Sequence, residues 1–428
     1  MKTKLFLTLL TAVPFHFAAV GVAGGDYVAH EWGTFTSVQG ADGIQLEWNP
    51  LIVSDLPKFV YDRRRPHATA KSSEPALPPG KLGFITRQRM ETPVIYFYSD
   101  QEQSVNATVN FPQGIVTEWY PQAASPGKIK ADFLGPKVLR WDNVHILPMK
   151  ENTSLAASLM SESSGSHYYA ARETDADFLR IDFGCCGGRK VETEKFLFYR
   201  GVGNFAAPLT VTQSGDGESI TLQNTGEEEL RHLFIYRVQQ GQGKYLYVRN
   251  LAPGANGTVK LNSERNLSSL PALRASLGRH VQQALVSEGL YEREATAMVK
   301  TWDDSWFAEQ GLRVLYTLPS AWTDRILPLK LDPKPRDIVR VMVGRAELIT
   351  PMMEWELMKQ VVRFTDLDET IRARAIEDTR QLGLGRFMDA VTRRLAGKMP
   401  SHEFSQVSWD LFNAASKPAP EPKKLAVK

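Results

Sequence analysis

DFLRIDFG (residues 177–184), KFLFYRGVGNF (195–205), PLTVTQS (208–214), ESITLQNT (218–225), LRHLFIYRV (230–238), KYLYVRNL (244–251) and GTVKL (257–261) follow one another almost without interruption. Each run is short and rich in β-branched and aromatic residues. Each is closed by Gly, Asn, Asp or Pro, the pattern of antiparallel strands joined by tight loops. From Pro208 to Leu261, strands alternate with Ser-Gly-Asp-Gly, Asn-Thr-Gly and Gly-Gln-Gly turns, the rhythm of an immunoglobulin-like sandwich. No crossover helix separates these runs, so parallel pairing is not expected among them. The expected fold class is α+β: an antiparallel β-sandwich core, immunoglobulin-like in part, with a mixed α/β segment and a helical C-terminal section.

Toward the N-terminus, AHEWGTFTSV (29–38) opens as a strand, and a short helix is expected around Ser54 to Tyr61. TPVIYFYS, SVNATVNFP and GIVTEWYP alternate between residues 92 and 121, with Phe111-Pro112-Gln113-Gly114 as a hairpin turn. VLRWDNVHIL (138–147) and HYYAARE (167–173) continue the strand pattern. Toward the C-terminus, 271–288 and 291–308 carry apolar residues at helical spacing, and Gly289 ends the first helix. Met298, Trp302 and Trp306 recur every four residues on the second, a stripe that belongs in a core. GLRVLYTLP (311–319) and DIVRVMVGRAELIT (337–350) return to strand. Four helical pieces follow between 352 and 415, short enough to stack as helical hairpins. The expected division is 1–23 signal peptide, 24–207 β-rich domain, 208–265 immunoglobulin-like segment, 266–350 mixed segment, 351–416 helical section and 417–428 disordered tail.

A chain of 428 residues has room for two or three cores. Its 23% charged and 43% hydrophobic residues suit a globular protein, neither disordered nor polytopic. The N-terminus places a basic Lys2 and Lys4 before an apolar stretch from Leu5 to Val22, with small residues at Gly21-Val22-Ala23. That is a cleavable secretory signal, with mature Gly24, and Pro14 and His16 leave the apolar run short of the roughly 20 residues of a membrane span. Losing the signal lowers the net charge from +3 by two, giving no reason to expect nucleic acid as a partner. Later segments are not apolar enough to span a bilayer. The chain is therefore expected in the periplasm or outside the cell, with an envelope protein or a glycan as partner.

AHEWGTFTSV, RMETPVIYFYS (89–99), FPQGIVTEWYP (111–121), GLYEREATAMVKTWDDSWF (289–307) and VRVMVGRAELITP (339–351) together resemble a family of exported bacterial proteins. The likeness covers most of the mature chain. It implies an envelope protein of several integrated layers and carries over no catalytic residues.

Three places hold residues suited to chemistry. His30-Glu31 pairs an imidazole with a carboxylate, a combination that binds metals and exchanges protons. Neighbours on a strand point to opposite faces, however, so the two are poorly placed to share one ion, and no His-Glu-x-x-His occurs. No metal site follows. A structural His30, with Trp32 in the core, is the simpler expectation. Glu91 and Glu118 each border an aromatic strand and, brought together, would form the acid and base of a glycosidase, with Trp119 and Tyr120 as a sugar-stacking platform. Surface or turn-capping roles compete with that reading. Cys185-Cys186, the only cysteines, lie among Gly184, Gly187 and Gly188. Adjacent Cα atoms about 3.8 Å apart make a strained, reducible disulfide, which an oxidising compartment would favour and flanking glycines would tolerate. A vicinal disulfide is expected there. Gly201-Val202-Gly203-Asn204 opens no helix, so no cofactor fingerprint appears. The expected function is a binding or assembly scaffold; the alternative is an extracytoplasmic hydrolase using Glu91, Glu118 or a metal near His30.

Overall fold

Gly25–Gly40 forms a sixteen-residue strand that is buried on both faces from Tyr27 to Gln39. The computed structural model describes residues 25–51, 56–63, 84–124, 135–161, 166–185, 188–261, 266–398 and 401–417. This strand lies inside an eleven-stranded sheet whose order is Ser268–Ser269, Gln242–Leu251, Leu230–Gln239, Gly311–Leu318, Pro335–Ile349, Gly25–Gly40, Gln88–Ser99, Leu197–Gly203, Gly114–Tyr120 and Tyr61–Asp62, with Gln45–Leu46 on the side. Gly25–Gly40 pairs with Gln88–Ser99 antiparallel and with Pro335–Ile349 parallel. The parallel pair needs no dedicated crossover helix, because most of the chain intervenes between its strands.

The remaining strands form two smaller antiparallel sheets. One joins Leu329–Asp332, Gln103–Asn110, Val138–Leu147, Phe178–Cys185 and Gly188–Glu194; the other joins Leu209–Gln213, Ser219–Asn224 and Asn256–Lys260. Phe35, Ile95, Trp119, Trp141, Leu222 and Ile235 form a core between the main sheet and these two. On its opposite face, Trp32, Tyr96, Phe198 and Phe234 pack against Leu277 of helix Leu270–Ser287 and Met298 and Trp302 of helix Glu292–Asp303. A third core unites Val38 and Trp48 with the C-terminal helices through Leu357, Val391 and Leu411.

The fold is thus α+β, rich in antiparallel sheet, with helices at its C-terminal end. The 208–261 stretch does not close on itself as an immunoglobulin-like unit. Three of its strands make the small three-stranded sheet, while Leu230–Gln239 and Gln242–Leu251 join the large one. Alternation makes strands but is silent on which sheet takes them. Likewise, Phe111–Gly114 is a turn, Gly114 N–H donating to the Phe111 carbonyl at 3.1 Å, yet it carries the chain from one sheet to another instead of joining a hairpin. HYYAARE forms a 3-10 helix over His167–Arg172, because Tyr168 and Ala171 pack against the aromatic face of the main sheet. At the expected Ser54–Tyr61 helix, 56–60 make a turn leading into the strand Tyr61–Asp62, and 52–55 lie outside the described residues. The signal peptide and residues 418–428 lie outside them too. Among the described residues, no helix is long and apolar enough to cross a membrane.

Gly33 has a steric task in the central strand. The ladder slips between Trp32 and Thr34, where Thr92 opposite takes φ +50°, a value rare for a β-branched residue. The bulge drives Pro93 against Gly33, where an added Cβ would sit 2.9 Å from the Pro93 Cα. Gly33→Ala is expected to cost about 1–3 kcal/mol, the usual toll of overpacking. Urea unfolding would register it as a lower midpoint; an unchanged midpoint would mean that the bulge yields freely.

Candidate functional site

A strand buried on both faces ordinarily carries only apolar residues, yet this one holds His30, Glu31, Thr34, Thr36, Ser37 and Gln39. Each such group needs a partner to offset its desolvation. Following those partners maps the polar interior.

His30 and Glu31 face opposite sides of the sheet. His30 points to the helical layer, where its Nδ1 lies 2.7 Å from Glu294 Oε2 on helix Glu292–Asp303. Glu294 also accepts from the Tyr98 hydroxyl at 2.6 Å and from the Tyr291 backbone N–H at 2.8 Å. The imidazole packs between the Tyr98 and Tyr291 rings, at centroid distances of 5.5 and 4.3 Å. Glu31 points to the sheet-on-sheet core. There it accepts from Arg340 Nε at 2.6 Å and from the Tyr199 hydroxyl, while Arg340 reaches Asp324 and the Leu327 carbonyl.

Glu91 lies on the helical face, accepting from Thr36 Oγ1 and from Arg386 Nη1, each at 2.6 Å, with Arg89 Nε at 3.2 Å. Burial by itself raises the carboxyl pKa, but Arg386, Arg89, Thr36 and Arg200 together outweigh it and hold Glu91 well below the usual carboxylate range. A carboxyl so held donates no proton at neutral pH and is a feeble base. Glu118 is half-buried and accepts from the Thr117 hydroxyl. The strand Leu197–Gly203 separates it from Glu91, with Arg200 directly across the ladder. Two strand spacings put the two backbones about 10 Å apart. Trp119 is fully buried on the opposite face from Glu118, so it offers no sugar platform, and Tyr120 stacks internally on Phe59 and Tyr61. The expected pairing of Glu91 with Glu118 beside exposed aromatics is therefore absent.

Because Glu91 has a lower pKa folded than unfolded, its ionisation stabilises the fold at pH above the unfolded carboxylate value. The contribution fades as pH falls from there toward the folded value. Glu91→Gln is expected to be less stable than wild type at neutral pH and to show a flatter acid limb. Urea titrations across the acid range would check this; an acid limb as steep as that of wild type would remove Glu91 from the ion network.

Cys185 ends the strand Phe178–Cys185, and Cys186 lies outside the described residues, as does the disulfide expected between them. Among the described residues, no group of three or more His, Cys, Asp or Glu side chains is arranged to hold a metal. The two cavities of note avoid every candidate above. One is a small pocket at Asn143, His145 and Asp182; the other is a groove of about 700 Å³ running past Asp216, Arg237, Gln310, Met352, Trp355 and Glu356.

Sequence reasoning missed the partners: Glu294, Tyr98, Arg340, Tyr199 and Arg386. One signal was available. The stripe Met298, Trp302, Trp306, extended back by one turn, falls on Glu294, an acid on an apolar face.

No protein-family model matches the sequence, and no curated protein matches it. Among the solved structures that overlap it weakly are two of one yeast domain. One is the mu-homology domain of yeast delta-COP-I, with a TM-score of 0.27 and 8% identity over 76% of this chain and 98% of that one. The other is the same yeast domain complexed with a Dsl1 WxWxV peptide, at the same score and identity, covering 76% of this chain and 99% of that one. A score that low establishes no shared fold.

Proposed function

We propose that this is an exported cell-envelope protein of the exported bacterial family its sequence resembles, and that it acts as a binding or assembly scaffold for another envelope protein. The observation that carries this reading is an apolar face on the C-terminal helical section that stays exposed among the described residues. Met352, Trp355 and Val362, spaced three and seven residues apart on helix Pro351–Phe364, are 64%, 60% and 53% exposed. Met352 and Trp355 also line the groove, whose walls bring Asp216, Glu356 and Arg237. That combination suits a protein segment with apolar anchors flanked by charges of both signs. The candidate catalytic side chains, by contrast, are engaged in internal contacts. Export is supported by the N-terminal signal pattern, and an oxidising compartment would close Cys185 and Cys186 into the vicinal disulfide proposed here.

A photoreactive residue placed at Trp355 in intact cells is expected to give one discrete protein adduct, abolished by Met352→Asp; the same residue at exposed Val191 should give none. Cell fractionation should find the product outside the cytosol with residues 1–23 removed. An uncleaved cytosolic product would sink export, and an absent adduct would sink docking on this face. Glycan turnover by the purified protein, lost on substituting Glu91 and Glu118, would replace the scaffold with the hydrolase. Peptide masses without reductant test the disulfide, which two freely alkylatable thiols would refute.

A further inference from the structure

Four arginines, Arg89, Arg313, Arg345 and Arg386, meet three glutamates, Glu91, Glu309 and Glu347, at one end of the main sheet. Glu91 and Glu347 are engaged through both oxygens, and Glu309 through one. Glu347 takes Arg313 and Arg345, Glu309 takes Arg345 at 2.6 Å, and Glu91 takes Arg386 and Arg89. Not all the guanidinium donors are engaged. Arg345 Nη1, on a side chain with no solvent exposure, and Arg386 Nε and Nη2 are buried without a hydrogen-bond partner among the described residues. Both cations come to the same ring: their guanidinium carbons sit 5.2 and 5.0 Å from the centroid of Phe387.

Buried N–H groups left unpaired are costly, and more so when charged. A water molecule would accept hydrogen bonds here but leave the charge uncompensated. An anion does both. Arg386 feels the deficit: burial and the neighbouring Arg345 pull its pKa down, although Glu91 opposes them. Full burial of Arg345 limits the occupant to a few atoms, and planar guanidinium forks match the paired oxygens of phosphate or sulfate. Gln310 and Gly311 line the groove described above, and behind them stand Arg313, whose Nη2 donates to the Gln310 carbonyl at 2.8 Å, and Glu347.

We propose that Arg345 and Arg386 hold a small inorganic oxyanion of the phosphate or sulfate type beside the Phe387 ring, which locks the C-terminal helical section to the main sheet. Equilibrium dialysis of the full chain against inorganic phosphate and sulfate, with chloride at matched ionic strength, tests this, together with a native mass spectrum of the purified protein. The expected result is saturable uptake of one oxyanion per chain, or an ion already retained in the spectrum. Arg386→Gln should bind about tenfold to hundredfold more weakly, the fold-change of one or two charged hydrogen bonds. Arg325→Gln, which alters only the exposed pairs with Glu227 and Glu228, should bind as wild type. If Arg386→Gln does not fold by circular dichroism, the wild-type measurement decides alone. The lack of both uptake and a retained ion would overturn the proposal, as would equal binding by a folded Arg386→Gln chain. Phenyl phosphate binding as tightly as inorganic phosphate would overturn the enclosed, free-ion assignment.

Discussion

Glu347→Ala is expected to lower the free energy of unfolding by about 3–5 kcal/mol, the largest single effect anticipated in the molecule. Its carboxylate receives Arg313 Nε at 2.9 Å and Nη2 at 3.1 Å, and Arg345 Nη2 at 2.8 Å, from two side chains with no solvent exposure. Removing the acid leaves two cations buried beside each other, with Glu309 the only carboxylate remaining to Arg345 among its described partners. The intact pair is not itself a large source of stability, because desolvation consumes most of the Coulombic gain. Replacing Arg313, Arg345 and Glu347 together by Met, Met and Leu should therefore cost less than the single alanine. Urea unfolding separates the two outcomes, with an unchanged m-value showing that the unfolded state is the same. A loss below about 1 kcal/mol for Glu347→Ala would put the network in the class of solvated surface pairs.

Glu294→Ala should follow, at about 3 kcal/mol or more. Three donors converge on this carboxylate: His30 on the central strand, Tyr98 on its neighbour and the Tyr291 N–H at the start of the helix that Glu294 itself occupies. Deleting it orphans all three, His30 in a buried place and Tyr98 and the Tyr291 N–H in partly buried ones, and frees the first turn of helix Glu292–Asp303. Glu294→Gln should recover part of the loss, since the amide oxygen still accepts from one or two of them. Hydrogen exchange of the amides in the 292–303 helix would report the change directly, as earlier opening of that helix relative to the sheet. Protection equal to wild type in the alanine variant would mean that apolar packing through Met298 and Trp302 holds the helix without the acid.

These effects bear on function by exclusion. His30, Glu31 and Glu91 are polar residues of the kind that perform chemistry, and each is spent holding layers together: His30 ties strand to helix, Glu31 ties sheet to Arg340, and Glu91 ties the sheet to the 3-10 turn Gly385–Phe387 through Arg386. Among the described residues, Met352, Trp355 and Val362 on the first C-terminal helix stay exposed. Under the scaffold reading proposed above, the exposed Trp355 and the groove beside it are where a partner would dock.

Much of the element pattern was legible. The 3.6-residue period places the helices at Leu270–Ser287 and Glu292–Asp303 within a residue or two of expectation, except that the last turn of the second opens into a π-helix at Asp304–Ala308. The stripe of Met298, Trp302 and Trp306 is core. The strands follow from β-branched and aromatic alternation. The helix Thr153–Ser161 was not foreseen, because TSLAASLMS has no marked apolar face and sits between loops. The opening strand was recognised as a strand but not as the centre of the molecule, since alternation is silent on sheet order.

The sequence by itself determined where the chain runs extended, where it coils, and that the polar opening strand would need explaining. Only the tertiary structure decided which groups answer it. His30 finds Glu294 across 264 residues, Glu91 finds Arg386 across 295, and Glu31 finds Arg340 across 309. The physical reason is that periodicity is a property of a dozen neighbouring residues, set by backbone geometry, whereas a buried charge is satisfied by whichever distant element the sheet order brings within about 3 Å of it.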